Sequence, residues 1–591
     1  MSTTRRLDGA IALAFALLLV AFAIVSWQKW PMLTADSARE LYVPFRILKG
    51  EQIYQDFTYL YGPVAPTLNG WLLGLFGARL EVLYMAGLAT LGAIMGLLYL
   101  VARQMLRPLP AAAVVFLFFT HFALGRDIAG YVWPYAFAAT YGVLLGLVAL
   151  FGLLRHLRSP HPGWLVLSGL AIGLSTVTKL EYGFAAAGLG AAFLGLRVLF
   201  DGRRALGEAL LLVGPAIAVA GAIAASVLLR VPLPTVLESV WPVELMKLWN
   251  SQSGWHGHAA SWAWNLKWVL IHGVILALAF GHQAIGERLK AGGPWRWGLL
   301  AVGAAGLALA WRFREGLGFY LTSGHHYWMS PGFLLLFALI AWAAVAAGQA
   351  IADRRALPVL AVSWGLLALY GCLVATRTLM TGYNDYMRYQ APVALVAWVA
   401  LAAIWLPALA SRLGLAGARR GTAIMGAIVI LLGVRHLGGH LESYTAPHVA
   451  VSSVVGTVLA PPAYAEPFNQ ALAYVKDRVR PGEAVVAAPM EASFYLFSGL
   501  PNVMREDNLY YGFLTTEASQ HAAIARMRDR RVRFLVVSNY GAFMNQRFGE
   551  TFMPEIGDWI ARECKQVAVY GDEAYRLRIY ETPYSSTDSG R

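Results

Sequence analysis

Four carboxylates crowd the stretch TADSARELYVPFRILKGEQIYQDFTYLYGP, residues 34–63: Asp36, Glu40, Glu51 and Asp56. It follows directly on the first strongly apolar run of the chain. If DSAREL is helical, Asp36 and Glu40 lie one turn apart on one face, and Pro44 limits how far that helix runs unbroken. A carboxylate held near a membrane surface can serve as a general base. Asp36 can equally cap the N-terminus of a short helix, and from spacing alone the cap is the favoured account. The YLYGP that follows, with Tyr61, reads as a Gly-Pro turn leading into an amphipathic segment too short to span a membrane.

Three later stretches add charge beside apolar runs. HFALGRDIAGYVWPY places Arg126 and Asp127 at the end of one run, where an ion pair or an interfacial arginine is the plainer account. GLSTVTKLEYGFAAA sets Lys179 and Glu181 between two apolar runs with almost no loop. Ionisable groups that close to hydrocarbon are costly and mark function by default, although a structural Lys–Glu pair is the alternative. TRTLMTGYNDYMRYQAP offers Arg377, Asp385 and Arg388 among tyrosines. Arginines and a lysine drawn from several loops can hold a phosphate jointly, the arginines by bidentate contacts. The histidines at 256–258 and 325–326 lack the spacing of a metal-binding helix, so no metal site is expected. Gly188 and Gly190 sit inside an apolar run without a preceding strand and suit helix packing better than a nucleotide. Neither a P-loop nor a G-x-S-x-G elbow occurs, and Cys372 and Cys564 alone make no disulfide framework.

These groups need a scaffold, and composition says which. Of 591 residues 58% are hydrophobic and 14% charged, against roughly a quarter charged in soluble chains. Apolar runs near 20 residues recur, the length that crosses about 30 Å of hydrocarbon. Spans are expected at 9–29, 81–101, 109–124, 133–154, 163–178, 183–200, 208–229, 266–285, 297–311, 331–350, 357–375, 392–410 and 420–435, about thirteen in all. The run at 9–29 is read as a retained helix rather than a cleaved signal, since no small-residue cleavage site follows it. With Arg5 and Arg6 on the cytoplasmic side, every alternate loop is short and basic, from Arg103 and Arg107 through to Arg419 and Arg420. That is the positive-inside pattern, and it accounts for the net charge of +14 without nucleic acid. The longer loops, with the first at 30–80, and the tail from 436 then face outward. In the tail, helix-then-strand patterns recur three times, which predicts a small α/β domain after a membrane domain spanning 1–435. The stretch PHVAVSSVVGTVLAPPAYAEP reads as the linker, and SSTDSGR as a frayed end.

Taken together, these features resemble the GT-C glycosyltransferases, specifically the bacterial family-39-like branch related to protein O-mannosyltransferases and to the aminoarabinose transferase acting on lipid A. The matching pieces are Asp36 just after the first helix, ILKGEQIYQDF with its Gly-x-x-x-Tyr-x-Asp run, YGPVAPTLNGWLLGLFG, GRDIAGY and GLSTVTKLEYGF. The resemblance covers the membrane half and extends loosely to the tail. It implies a bacterial inner-membrane enzyme that moves a monosaccharide from a polyprenyl-phosphate donor to a hydroxyl of an envelope glycan, lipid or protein, without nucleotide or required metal. It makes Asp36 the base, with Asp127 and Glu40 as further catalytic carboxylates, and maps Arg126, Lys179 and Arg388 to the donor phosphate. Asp56, Tyr61, Glu181 and Asp385 are expected as additional substrate contacts. Relatives carry Asp-Glu where this chain has Asp36-Ser37, which leaves the second acid to Glu40. A lipid-linked sugar flippase and a ligase using lipid pyrophosphate are the competing readings; paired halves and broken midplane helices, the mark of transporters, are not evident.

Overall fold

The structure, a computed structural model, describes residues 3–126, 130–202, 205–241, 243, 247, 325–381, 392–412, 418–509, 512–540 and 547–584. The expected spans at 266–285 and 297–311 lie outside these residues. The other eleven are helices: α1 (Thr3–Ser26), α4 (Leu80–Arg103), α5 (Pro108–Phe118), α6 (Phe137–Arg158), α7 (Pro162–Thr176), α8 (Leu180–Asp201), α9 (Ala205–Leu228), α11 (His325–Ala352), α12 (Val359–Thr381), α13 (Pro392–Arg412) and α14 (Ala418–Thr445). Seven of the described helices are long and apolar enough to cross a membrane. The chain is a multi-pass helical membrane protein. The run at 109–124 ends differently from expectation, since α5 gives way to a π-helical turn at Phe119–Ala123.

The first loop is built from α2 (Ala35–Leu48) and α3 (Val64–Phe76). Pro44 does not break α2, which runs on to Leu48. Proline removes one ladder bond, but most of α2 is buried, and burial offsets the loss. Helix α3 is the short apolar segment expected after YLYGP, with Trp71, Leu75 and Phe76 exposed. A short helix α10 (Leu233–Val240) follows α9.

The tail carries the three expected helix–strand pairs: α15 (Pro462–Lys476) with β3 (Ala484–Ala488), α17 (Glu517–Asp529) with β4 (Val532–Ser538), and α18 (Pro554–Glu563) with β5 (Lys565–Gly571). A fourth strand, β6 (Arg576–Glu581), lies antiparallel between β4 and β5, giving the order β3-β4-β6-β5 with only β3 and β4 parallel. The linker reading of 447–467 is corrected. It holds a hairpin, β1 (Val449–Ser453) and β2 (Gly456–Ala460), closed by Gly456 at φ +135°, and the start of α15. The hairpin is tied to the membrane half: Leu459 N–H donates to Gln28, Leu80 N–H donates to Val455, and the Tyr84 hydroxyl donates to Thr457. One apolar cluster runs from Trp30, Tyr84 and Trp133 at the helix ends to Phe468, Phe494 and Val536 in the tail. Helices and tail therefore share a core, with edge-to-face contacts of 5.5 Å between Trp30 and Tyr84 and between Tyr84 and Trp133.

Candidate active site

The N-terminal end of α2 is where the charged side chains meet. Thr34 takes the N-cap position, so Asp36 is not the cap but stands in the first turn. There a carboxylate suits the positive end of the helix dipole. Ala35 before it is left-handed at φ +59°, a conformation that costs a non-glycine residue about 1–2 kcal/mol. The tail holds it there. Ala35 N–H donates to the Met490 carbonyl at 2.8 Å, and Asn508 Nδ2 donates to the Ala35 carbonyl at 3.2 Å. The Ser493 hydroxyl donates to Leu33, and the Arg46 guanidinium at the far end of α2 meets Asp507 at 2.6 Å. A short helix α16 (Ser493–Ser498) supplies Tyr495, whose ring lies 5.4 Å from that of Tyr42. Backbone strain of this kind persists only where the surroundings enforce it, and here the tail does so.

Asp36 pairs with Arg39 at 3.2 Å, and the Arg39 guanidinium also reaches Glu40 at 3.7 Å. Arg39 is buried and lies over the rings of Tyr59 and Tyr61 at 5.6 and 5.5 Å. Tyr61 in turn faces Lys179, whose Nζ sits 4.1 Å from its centroid and 5.4 Å from that of Tyr135. Lys179 is 1% exposed and pairs with Glu181 at 2.7 Å. The approach of the Tyr61 loop to Lys179 depends on Gly62. Gly62 N–H donates to Thr178, and a Cβ there would fall 1.9 Å from the Val177 carbonyl. Thus Asp36, Glu40, Lys179 and Glu181, separated by up to 145 positions, are joined through Arg39 and the Tyr61 ring.

Glu40 lies deeper than Asp36, with its side chain 3% exposed against 15%. It is 2% exposed and accepts from the Tyr59 hydroxyl and from Phe137 N–H, each at 3.1 Å. Phe137 is the first residue of α6, so Glu40 caps that helix from α2. Burial pushes its carboxyl up to about 7, against the pull of Arg39, the Phe137 amide and Tyr59. Its contacts run to Arg39 and to the start of α6. By contrast, the Asp36 side chain keeps 15% exposure.

Two other expected residues go elsewhere. Arg126 donates to the Lys29 carbonyl and the Ser443 carbonyl, each at 3.0 Å, and lies over Tyr444. It is a strut between the ends of α1 and α14, and these contacts do not join it to the Asp36 group. Asp56 is exposed, and its carboxylate accepts from Gln52 N–H at 2.7 Å, closing a turn. Asp127, Asp385 and Arg388 lie outside the described residues, as do the histidines at 256–258. Arg39, Tyr59 and Tyr135 were missed. The signal for Arg39 was present, because a residue three after Asp36 shares its helix face. Among the described residues one group has ligand atoms at metal-binding spacing: Glu517, His521 and Glu555, within 4.8 Å of one another on the surface of the tail. None of the three belongs to the Asp36 group.

No family model and no curated protein sequence matches the chain. Solved structures do resemble it. The Archaeoglobus fulgidus oligosaccharyltransferase in the apo form shares 14% identity over 90% of this chain and 69% of its own, with a TM-score of 0.51. The same archaeal protein tethered to an acceptor peptide containing the NVT sequon gives 14%, 90% and 68%, with a TM-score of 0.47. ArnT from Cupriavidus metallidurans bound to undecaprenyl phosphate shares 12% identity over 98% of both chains, with a TM-score of 0.43. At such identities the likeness is one of fold, and the apo archaeal structure carries it. The chain therefore shares its overall fold with that archaeal membrane protein.

Proposed function

We propose that the protein is an integral-membrane glycosyltransferase that moves one sugar from polyprenyl phosphate to an acceptor hydroxyl on the outer face of a bacterial inner membrane. The observation that carries this reading is a partly open carboxylate, Asp36, at one end of a chain of contacts that holds two buried cations, Arg39 and Lys179. The acceptor hydroxyl gives its proton to Asp36 as its oxygen attacks the anomeric carbon. The bond from that carbon to the phosphate oxygen breaks on the opposite face, and the configuration inverts. The phosphate departs with the electron pair, and Lys179 and Arg39 stabilise its charge where water is scarce. The cations supply what the leaving group needs, so the reading invokes no metal. Arg388, Asp127 and Asp385 remain proposed as further donor and acceptor contacts, and membrane lipid surrounds the whole. Glycan, lipid and protein acceptors all meet the requirement of a free hydroxyl. The test is release of polyprenyl phosphate from a polyprenyl-phosphate monosaccharide by the purified protein. A flippase releases none, and a ligase needs the pyrophosphate-linked donor.

A further inference from the structure

A second polar site lies at the other end of α2. A cavity of about 820 Å³ opens between the first loop and the tail, and five arginines line it: Arg46, Arg480, Arg505, Arg526 and Arg530. Its volume is within the range of sites that hold a small ligand, roughly 300–1,000 Å³. Arg46 lies ten residues beyond Asp36 on the same helix, so the cavity is about 15 Å from the Asp36 group along the axis.

The arginines come from four separate elements. Arg46 is in α2, Arg480 precedes β3, Arg505 is in the loop after α16, and Arg526 and Arg530 sit at the end of α17. The two acids in the lining are held by their own loops. Asp56 accepts from Gln52 N–H, and Glu483 accepts from Arg480 N–H at 2.8 Å and from Arg533. Arg46 is held by Asp507 and Glu51, each at 2.6 Å, and Arg505 meets Glu238 at 3.0 Å and the Tyr54 carbonyl at 2.8 Å, so the more open charges are those of the other arginines. Arg526 and Arg530 are exposed at the mouth, one turn apart, where like charges repel. A helix C-terminus favours basic residues by its dipole, but that does not explain convergence with Arg480 and Arg505. Arginines drawn from several elements onto one cavity offer planar guanidinium chemistry that suits the oxygens of a phosphate.

We infer that this cavity is a binding site for a phosphate-bearing ligand, separate from the Asp36 group. The phosphate belongs either to a soluble glycan or to a lipid headgroup. The site stands whether or not the transfer reaction does.

The test uses the full-length protein in detergent, with inorganic pyrophosphate titrated by calorimetry and phosphatidylglycerol retention read by native mass spectrometry against phosphatidylcholine. Arg526→Gln with Arg530→Gln is expected to weaken binding by at least about tenfold, the size of losing charged hydrogen bonds. Both residues are exposed, so melting should not change, and Arg526→Glu with Arg530→Glu should abolish binding. Loss of pyrophosphate binding alone assigns the site to a soluble phosphate, and loss of phosphatidylglycerol alone assigns it to a headgroup. If the glutamine pair binds both probes as the wild type does, the inference is overturned. It is equally overturned if Lys179→Met removes the binding that the glutamine pair retains.

Discussion

Replacing Asp507 with alanine tests whether the tail positions the Asp36 end of α2. Arg46 and Asp507 meet at 2.6 Å with side chains 4% and 1% exposed. Asp507 also accepts from Asn502 Nδ2 at 3.0 Å. Removing one partner of a buried pair costs about 3–5 kcal/mol, because the other charge stays buried. Arg46 keeps Glu51 at 2.6 Å, although Glu51 is 32% exposed, and keeps the Phe57 ring at 4.8 Å. These hold the cost near the lower bound, about 3 kcal/mol. Released locally, that energy raises the open population of the α2–tail contact about 100-fold, at 1.4 kcal/mol per decade. Hydrogen exchange of the α2 amides in detergent should accelerate by that factor, and transfer should fall because Ala35 loses its clamp. Arg46→Met with Asp507→Leu removes both charges and should restore slow exchange. Unchanged α2 exchange in Asp507→Ala would refute the claim that the tail holds this helix.

Three further outcomes follow from the same geometry. Glu40 has its carboxyl raised from 4.5 to about 7 by burial, so the folded state holds the proton more tightly than the unfolded one. Its contribution to stability is therefore greatest below about 4.5, declines as pH rises to about 7, and levels off above that; Glu40→Gln should remove this slope from melting temperatures taken between pH 4.5 and 8. Gly62→Ala drives a methyl into the Val177 carbonyl and should lift Tyr61 away from Lys179, lowering kcat by at least about tenfold, the scale of misplaced catalytic groups; wild-type kcat would show that this contact is idle. Ala35→Gly relieves the left-handed strain at φ +59°, so stability should rise by about 1 kcal/mol in denaturant unfolding of the α2–tail contact, and a loss would mean that the strain is absent.

Much of the scaffold was legible because hydrophobic length and charge asymmetry are local properties of the chain. The apolar runs that became α4, α6 and α9 announce themselves by length, and the helix–strand pairs of the tail by period. The β1–β2 hairpin was hidden because its strands are five residues each and its contacts lie with Gln28 and Leu80, far away in sequence. Pro44 suggested a break that packing of α2 overrides. In the site, Asp36, Glu40, Lys179 and Glu181 could be picked out as charges beside apolar runs. What each does could not, because their roles are set by distant partners. Glu40 became a buried cap only through Phe137, and Arg126 became a strut only through Lys29 and Ser443. Arg39 gained its meaning from the rings of Tyr59 and Tyr61, which pattern reading does not place.

The central claim is that Asp36 deprotonates an acceptor while the buried cations receive a lipid phosphate. Its most direct test incubates wild-type protein and Asp36→Asn with a polyprenyl-phosphate monosaccharide and its acceptor, and measures polyprenyl phosphate released. Release by the wild type is expected, and a loss of at least about 100-fold in the variant, the lower scale of general-base catalysis, at a temperature where melting curves show both proteins folded. Release at the wild-type rate by Asp36→Asn, or none from the wild type with any polyprenyl-phosphate sugar, would contradict it.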